Sequence, residues 1–108
     1  MASKVEKCLC ERAIVNDKVK LYAIYDKVRG WYINPFPCES DELAASLVGE
    51  LFVAHERNLL YGRENDFALY CLGSFDIYFG ELCSAKRKIG DGSKLVRMYK
   101  KGLKNGNA

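Results

Sequence analysis

This chain of 108 residues has one histidine, one tryptophan and two prolines. A single imidazole, His55, cannot supply a His-based zinc set and stands alone as a catalytic candidate. It reads as a structural residue near a helix end. The sequence has no Gly-x-Ser-x-Gly, no phosphate-cradling glycine loop and no His-Glu metal motif. These absences argue against an enzyme and against a bound cofactor or metal. No apolar run approaches the roughly 20 residues needed to span a bilayer, so no membrane role is expected. The opening Met1-Ala2-Ser3-Lys4-Val5-Glu6-Lys7 carries charges where a signal peptide has its apolar core, which favours a cytoplasmic location. The five cysteines are odd in number and irregularly spaced, which argues against a disulfide framework, and no Cys-x-x-Cys pair occurs. Cys8-Leu9-Cys10 is a weak metal hint. Cys71 and Cys83 read as small buried apolar residues.

What the chain does have is aromatic, alternating segments closed by Asp, Gly or Pro. One domain is expected by length, with 1–19 as a variable extension holding at most a short strand or a turn of helix. The first strand spans about Lys20 to Asp26. Alternation puts Leu21, Ala23 and Tyr25 on one face and Tyr22 and Ile24 on the other. Both faces are apolar, as in a central strand. Lys27-Val28-Arg29-Gly30 is a turn into Trp31-Tyr32-Ile33, and Asn34-Pro35-Phe36-Pro37 is expected to stop regular structure.

Ser40 is a suitable N-cap, and Asp41 and Glu42 suit the start of a helix. Leu43, Leu47 and Leu51, with Ala44, Val48 and Phe52, give it a broad apolar face over about 41–60, closed at Gly62. A strand follows from Phe67 to Phe75. Asp76 and Gly80 bracket a turn, and Glu81 to Lys88 returns. Ile77-Tyr78-Phe79 fits either the exposed tip of that hairpin or a longer strand. Asp26, Asp66 and Asp76 could suggest a carboxylate cluster, but each stands at a turn, where Asp bonds locally. Gly90-Asp91-Gly92-Ser93 reads as a turn and cap. Lys94 to Gly102 then has Leu95, Met98 and Tyr99 on one side and Lys94, Arg97 and Lys101 largely on the other, a short helix that folds onto the sheet or onto a nucleic acid. Asn105 to Ala108 is expected to be disordered. The fold class is α+β: three or four mostly antiparallel strands packed on one long helix. The core domain spans 20–89, and a basic C-terminal arm spans 90–108.

The charge distribution points to a partner. From residue 86 onward eight bases (Lys86, Arg87, Lys88, Lys94, Arg97, Lys100, Lys101 and Lys104) face one acid, Asp91, while residues 1–85 hold nine bases and thirteen acids. A basic arm on a mildly acidic body is the footprint of a polyanion binder, and a solvated or folded-back tail is the plain alternative. Single-stranded nucleic acid binders join such tracks to aromatic stacking platforms. The candidate stacking residues are Trp31, Tyr32, Tyr78 and Phe79. Core packing serves each at least as well, and for Trp31 it is the favoured reading. No helix-turn-helix, zinc-finger or ribonucleoprotein signature supports sequence-specific recognition.

The ordered pattern Tyr22-x-Ile24-Tyr25-Asp26, Pro35-Phe36, Ala44 near a helix start, Asp66-Phe67-x-Leu69-Tyr70, Gly73-x-Phe75-Asp76 and Gly80 resembles the small non-structural protein of gokushoviruses. These are tail-less icosahedral single-stranded DNA phages of the microvirus group. The resemblance covers about residues 20–85. Glu64-Asn65 stands where the family often has Pro, and Phe79 where it usually has Thr. The N-terminal extension and the basic segment lie outside it. The resemblance implies a protein made in the cytoplasm of the infected bacterium, outside the virion, and associated with single-stranded DNA synthesis or replication. The expected partner is single-stranded DNA, bound without sequence preference. The alternative is a protein-interaction module that binds the phage replication initiator or host replication proteins without touching DNA.

Overall fold

The computed structural model describes residues 18–54 and 56–104. The expected N-terminal extension as far as residue 17, the Cys8/Cys10 hint, His55 and the 105–108 tail lie outside the described residues. The elements are β1 (Lys18–Asp26), β2 (Trp31–Cys38), α1 (Asp41–Val53), β3 (Phe67–Asp76), β4 (Glu81–Asp91) and α2 (Gly92–Lys104), with a 3-10 turn at Glu64–Asp66 before β3. One antiparallel sheet has the order β2-β1-β3-β4. The chain thus runs a hairpin followed by a helix, then does so again, with β1 and β3 meeting in the middle. Among the described residues this α+β architecture has two helices of 13 residues each rather than one long helix.

The two hairpins turn by the same chemistry. Asp26 Oδ1 accepts the N–H groups of Val28 (3.0 Å) and Arg29 (3.1 Å), and Asp76 Oδ1 accepts those of Tyr78 (2.9 Å) and Phe79 (3.1 Å). Gly30 and Gly80 close the loops by donating to the Asp26 and Asp76 carbonyls at 2.7 and 2.8 Å. Their φ values of +81° and +67° are where a side chain would be strained. The carboxylates therefore serve turns, as the local-bonding reading expected, and Ile77-Tyr78-Phe79 is an exposed hairpin tip rather than strand.

Both helices lie on the same face of the sheet. Tyr22 and Ile24 from β1 and Phe67, Leu69 and Cys71 from β3 share one buried cluster with Ala44, Ala45, Val48 and Phe52 of α1 and Leu95 and Val96 of α2. Gly49 lets the helices approach. A Cβ there would collide with the Leu95 carbonyl oxygen and lie 2.9 Å from Tyr99 Cβ. Contact with α2 rotates the buried side of α1 toward its small residues. Leu43 and Leu47, expected in the core, stand in solvent instead.

Four further expectations are corrected. α1 ends at Val53, not near residue 60, because the Asn58 amide donates to the Leu51 carbonyl (2.7 Å) and Gly62 N–H to the Phe52 carbonyl (2.8 Å), which caps the helix end with a turn. β2 runs through Pro35 and Pro37 because it is an edge strand, where a missing N–H breaks no ladder. It carries one more residue than β1 between the Tyr22–Phe36 and Ile24–Ile33 pairs, a bulge at Asn34 with φ +51°. β4 extends through Gly90 and Asp91, so the expected turn is strand, and α2 starts at once. The short helix expected in the basic arm is present and packs into the core, with Leu95 fully buried. Cys71 is a buried thiol as expected, whereas Cys83, also buried, is disulfide-bonded.

Replacing Gly49 by Ala should cost about 1–3 kcal/mol, since the clash is with backbone. Gly102→Ala, where nothing lies within 4 Å of the added carbon, should stabilise α2 by about 0.5–1 kcal/mol. Urea unfolding of the two variants measures both, and equal effects would contradict the close helix contact.

Candidate nucleic-acid interface

With both helices on one side, alternation fixes what the other side presents. Ala23 and Tyr25 of β1 and Ala68 and Tyr70 of β3 point away from the helices. The pairing is reciprocal: Tyr25 stands across from Ala68 and Tyr70 across from Ala23. Both alanines are buried, although neither belongs to the helix-side core. Tyr32, paired with Tyr25 from β2, completes a triangle of rings. Centroids are 4.7 Å apart for Tyr25–Tyr32, 5.9 Å for Tyr25–Tyr70 and 5.5 Å for Tyr32–Tyr70, with tilted or edge-on planes.

Lysines border the triangle. Lys86 Nζ lies 5.3 Å from the Tyr32 ring centroid and donates to its hydroxyl at 3.2 Å. That hydrogen bond, with the neighbouring tyrosine oxygens, pushes the Lys86 ammonium up from its ordinary value. Lys88 pairs with Tyr70 across the strands and reaches Asp91 at 2.8 Å. Asp91 also holds Lys27 at 3.1 Å, and these two ammonium groups keep its carboxyl below the usual range. The surface is thus an aromatic floor with a cationic margin. Such a surface can stack bases and meet phosphates.

The predicted site residues do not come together as one track. Lys86 and Lys88 face the tyrosines. Arg87 points to the helix side, where it grips Asp41 at 2.8 and 3.0 Å. Asp41 also accepts the buried Tyr22 hydroxyl at 2.6 Å, with Lys20 Nζ at 3.9 Å. Burial would raise the Asp41 carboxyl, but the Tyr22 hydroxyl and the Arg87 guanidinium outweigh it and hold it low. The Tyr22 hydroxyl in turn is pushed far up, first by burial and then by this bond. Lys94, Arg97, Lys100 and Lys101 lie on the exposed side of α2. The Lys104 side chain lies outside the described residues.

Of the four predicted stacking residues, only Tyr32 belongs to the platform. Trp31, its neighbour, turns to the opposite side and is 56% exposed, against the core position favoured for it. Tyr78 and Phe79 are exposed at the other end of the sheet, since Asp76 pairs with Lys18 and Phe67 with Asp26. The eight strand steps between those pairs span about 27 Å. Tyr25 and Tyr70 were missed as site residues. Their signal was Ala23-Ile24-Tyr25 and Ala68-Leu69-Tyr70, a small residue and a tyrosine in phase on the face away from the bulky core residues.

Among the described residues no cluster of His, Cys, Asp and Glu could hold a metal, and no helix is long and apolar enough to cross a membrane. A family described as Phage ORF5 protein matches residues 19–95. That stretch covers both hairpins, α1 and the platform, and the chain belongs to this family of phage proteins. No curated protein and no solved structure matches the chain.

The electrostatics carry a pH prediction. Asp26, whose carboxylate accepts the Arg29 and Val28 N–H groups, Asp41 and Asp91 all titrate below the ordinary value of 3.8. Depressed carboxyls contribute stability that is fully present above that value and is lost as pH falls through and below it. Asp41→Asn should cost about 1–2 kcal/mol at neutral pH and make the acid loss shallower. Urea midpoints from pH 7 to 2.5 measure both, and an unchanged acid slope in the variant would remove Asp41 from the account.

Proposed function

We propose that this phage protein is a non-enzymatic, non-structural accessory protein of single-stranded DNA synthesis or replication, of the gokushovirus kind, working in the cytoplasm of the infected bacterium. It binds single-stranded DNA without sequence preference, through the sheet face opposite α1 and α2. The observation that carries this reading is the Tyr25–Tyr32–Tyr70 triangle bordered by Lys86 and Lys88. Flat rings accept any base, and lysines meet any phosphate, so the surface suits coverage of a strand rather than reading of a site. The absence of any groove-reading motif in the sequence agrees with this. Lys86 rests on Tyr32 in the free protein. A base stacking there displaces the ammonium toward the adjoining phosphate, so binding both exchanges a cation–π contact and gains an ion pair.

A second reading rests on a different observation. Ile77, Tyr78 and Phe79 at the β3–β4 tip are exposed, with Leu82 two residues beyond it. Exposed aromatic tips suit a protein partner. On this reading the tip docks on the replication initiator or a host replication protein, and DNA is not touched.

Fluorescence anisotropy of a labelled thymidine oligonucleotide, titrated with the full chain at several salt concentrations, tests the first reading. Tyr32→Ala and Tyr70→Ala should each weaken binding by roughly 5- to 150-fold, the effect of losing one base stack. Lys86→Gln should flatten the salt dependence by about 0.7 in the log–log slope. Absence of binding at low salt, or equal affinity in the tyrosine variants, would contradict the platform. The tip reading would then lead.

A further inference from the structure

α2 exposes a face that the platform does not use. Lys94, Arg97, Lys100 and Lys101 are all exposed, and the helix contains no acid. Lys94 Nζ donates to the Ile89 carbonyl at 3.3 Å. Among the described residues Arg97, Lys100 and Lys101 take part in no ion pair. Basic amphipathic helices often lie on membranes, but they do so by inserting a free apolar side. Here that side is spent: Leu95 and Val96 are buried in the core, Met98 packs against it, and Tyr99 meets Gly49 of α1. What remains is a rigid ridge of positive charge, fitted to a polyanion alone. From Lys94 to Lys101 it runs about 10 Å, the axial length of roughly three phosphates on one strand of B-DNA.

The ridge and the tyrosines are on opposite sides of the sheet, because both helices pack on the face away from Tyr25 and Tyr70. We infer that the α2 ridge is a second nucleic-acid site, which holds the phosphate backbone of a duplex while the platform holds a single strand. The inference rests on the platform reading for the single strand, but the duplex contact stands by itself. Contact with phosphates alone needs no unstacked base, so a duplex, whose bases are unavailable to the tyrosines, is the ligand the ridge suits best. A protein with both sites joins the two forms of DNA that coexist where single strands are drawn from a duplex.

The test is energy transfer between a donor-labelled thymidine oligonucleotide and an acceptor-labelled 20-base-pair duplex on addition of the full chain. The comparison is with the variant Arg97→Gln, Lys100→Gln, Lys101→Gln. All three side chains are exposed, and circular dichroism checks the fold. The wild type should bring the probes together and bind the duplex with a salt dependence steeper by about 2.7 in log–log slope, equivalent to roughly 40-fold between 50 and 200 mM salt. The ridge variant should lose transfer and duplex binding while keeping its affinity for the oligonucleotide. Tyr32→Ala should keep duplex binding. Transfer that persists in the ridge variant would overturn the proposal, as would probes that compete for the wild type without transfer, which would indicate one track around the β4 edge. Wild type that fails to bind the duplex at low salt would also overturn it and leave an acidic protein as the partner of the ridge. Duplex binding without oligonucleotide binding would sink the platform and leave the ridge standing.

Discussion

The contact between α1 and α2 at Gly49 governs the rest of the molecule. With no side chain at that position, the Leu95 backbone and Tyr99 can lie against α1, and both helices fit over one face of a four-stranded sheet. Everything polar and functional follows from that one-sidedness. The sheet face under the helices must be bulky and apolar, and it is, with Tyr22, Ile24, Phe67 and Leu69. The other face lies away from α1 and α2 and carries Ala23, Tyr25, Ala68 and Tyr70. Crowding two helices onto one side costs α1 its leucine stripe, since Leu43 and Leu47 are turned out into solvent.

The platform arises from pairing rather than from any local motif. β1 and β3 each carry an alanine two residues before a tyrosine, and the antiparallel register sets each tyrosine opposite the other strand's alanine. Small residues beneath and rings beside them give a floor in which Tyr32 and Lys86 find places. The repeated Asp-turn-Gly loops fix the flanking registers, β1–β2 and β3–β4, because each closes its hairpin at a fixed length through two N–H groups on one carboxylate oxygen. A one-residue slip in the first hairpin would turn Tyr32 inward, and one in the second would turn Lys86 and Lys88 inward.

Much of the fold was legible in the sequence. The strand of β1, both turns, the Ser40 cap with its bond to the Leu43 N–H, and the basic amphipathic segment all stand where alternation and turn chemistry put them. The misses have physical causes. Pro35 and Pro37 suggested an end to regular structure because a proline cannot serve a central strand, and only the sheet order reveals that β2 is an edge. The helix expected over 41–60 runs past the true end because the capping bond from Asn58 to Leu51 is tertiary geometry, invisible to periodicity. The bases read as one arm because they are neighbours in sequence, yet strand alternation sends Lys86 and Lys88 to one face and Arg87 to the other, where Asp41 holds it. Trp31, favoured for the core, falls at the end of an edge strand and is exposed. Tyr25 and Tyr70 lie 45 residues apart and become one surface only through the β1–β3 register.

The central claim is that single-stranded DNA lies on the sheet face opposite α1 and α2. Its most direct test is nuclear magnetic resonance of the full chain, with tyrosine ring signals assigned, during titration with a short thymidine oligonucleotide. The account predicts that the ring signals of Tyr25, Tyr32 and Tyr70 shift together and saturate at the same oligonucleotide concentration, with the buried Tyr22 ring unmoved. Shifts confined to Tyr78 and its neighbours at the β3–β4 tip, with the three platform rings unchanged, would contradict it.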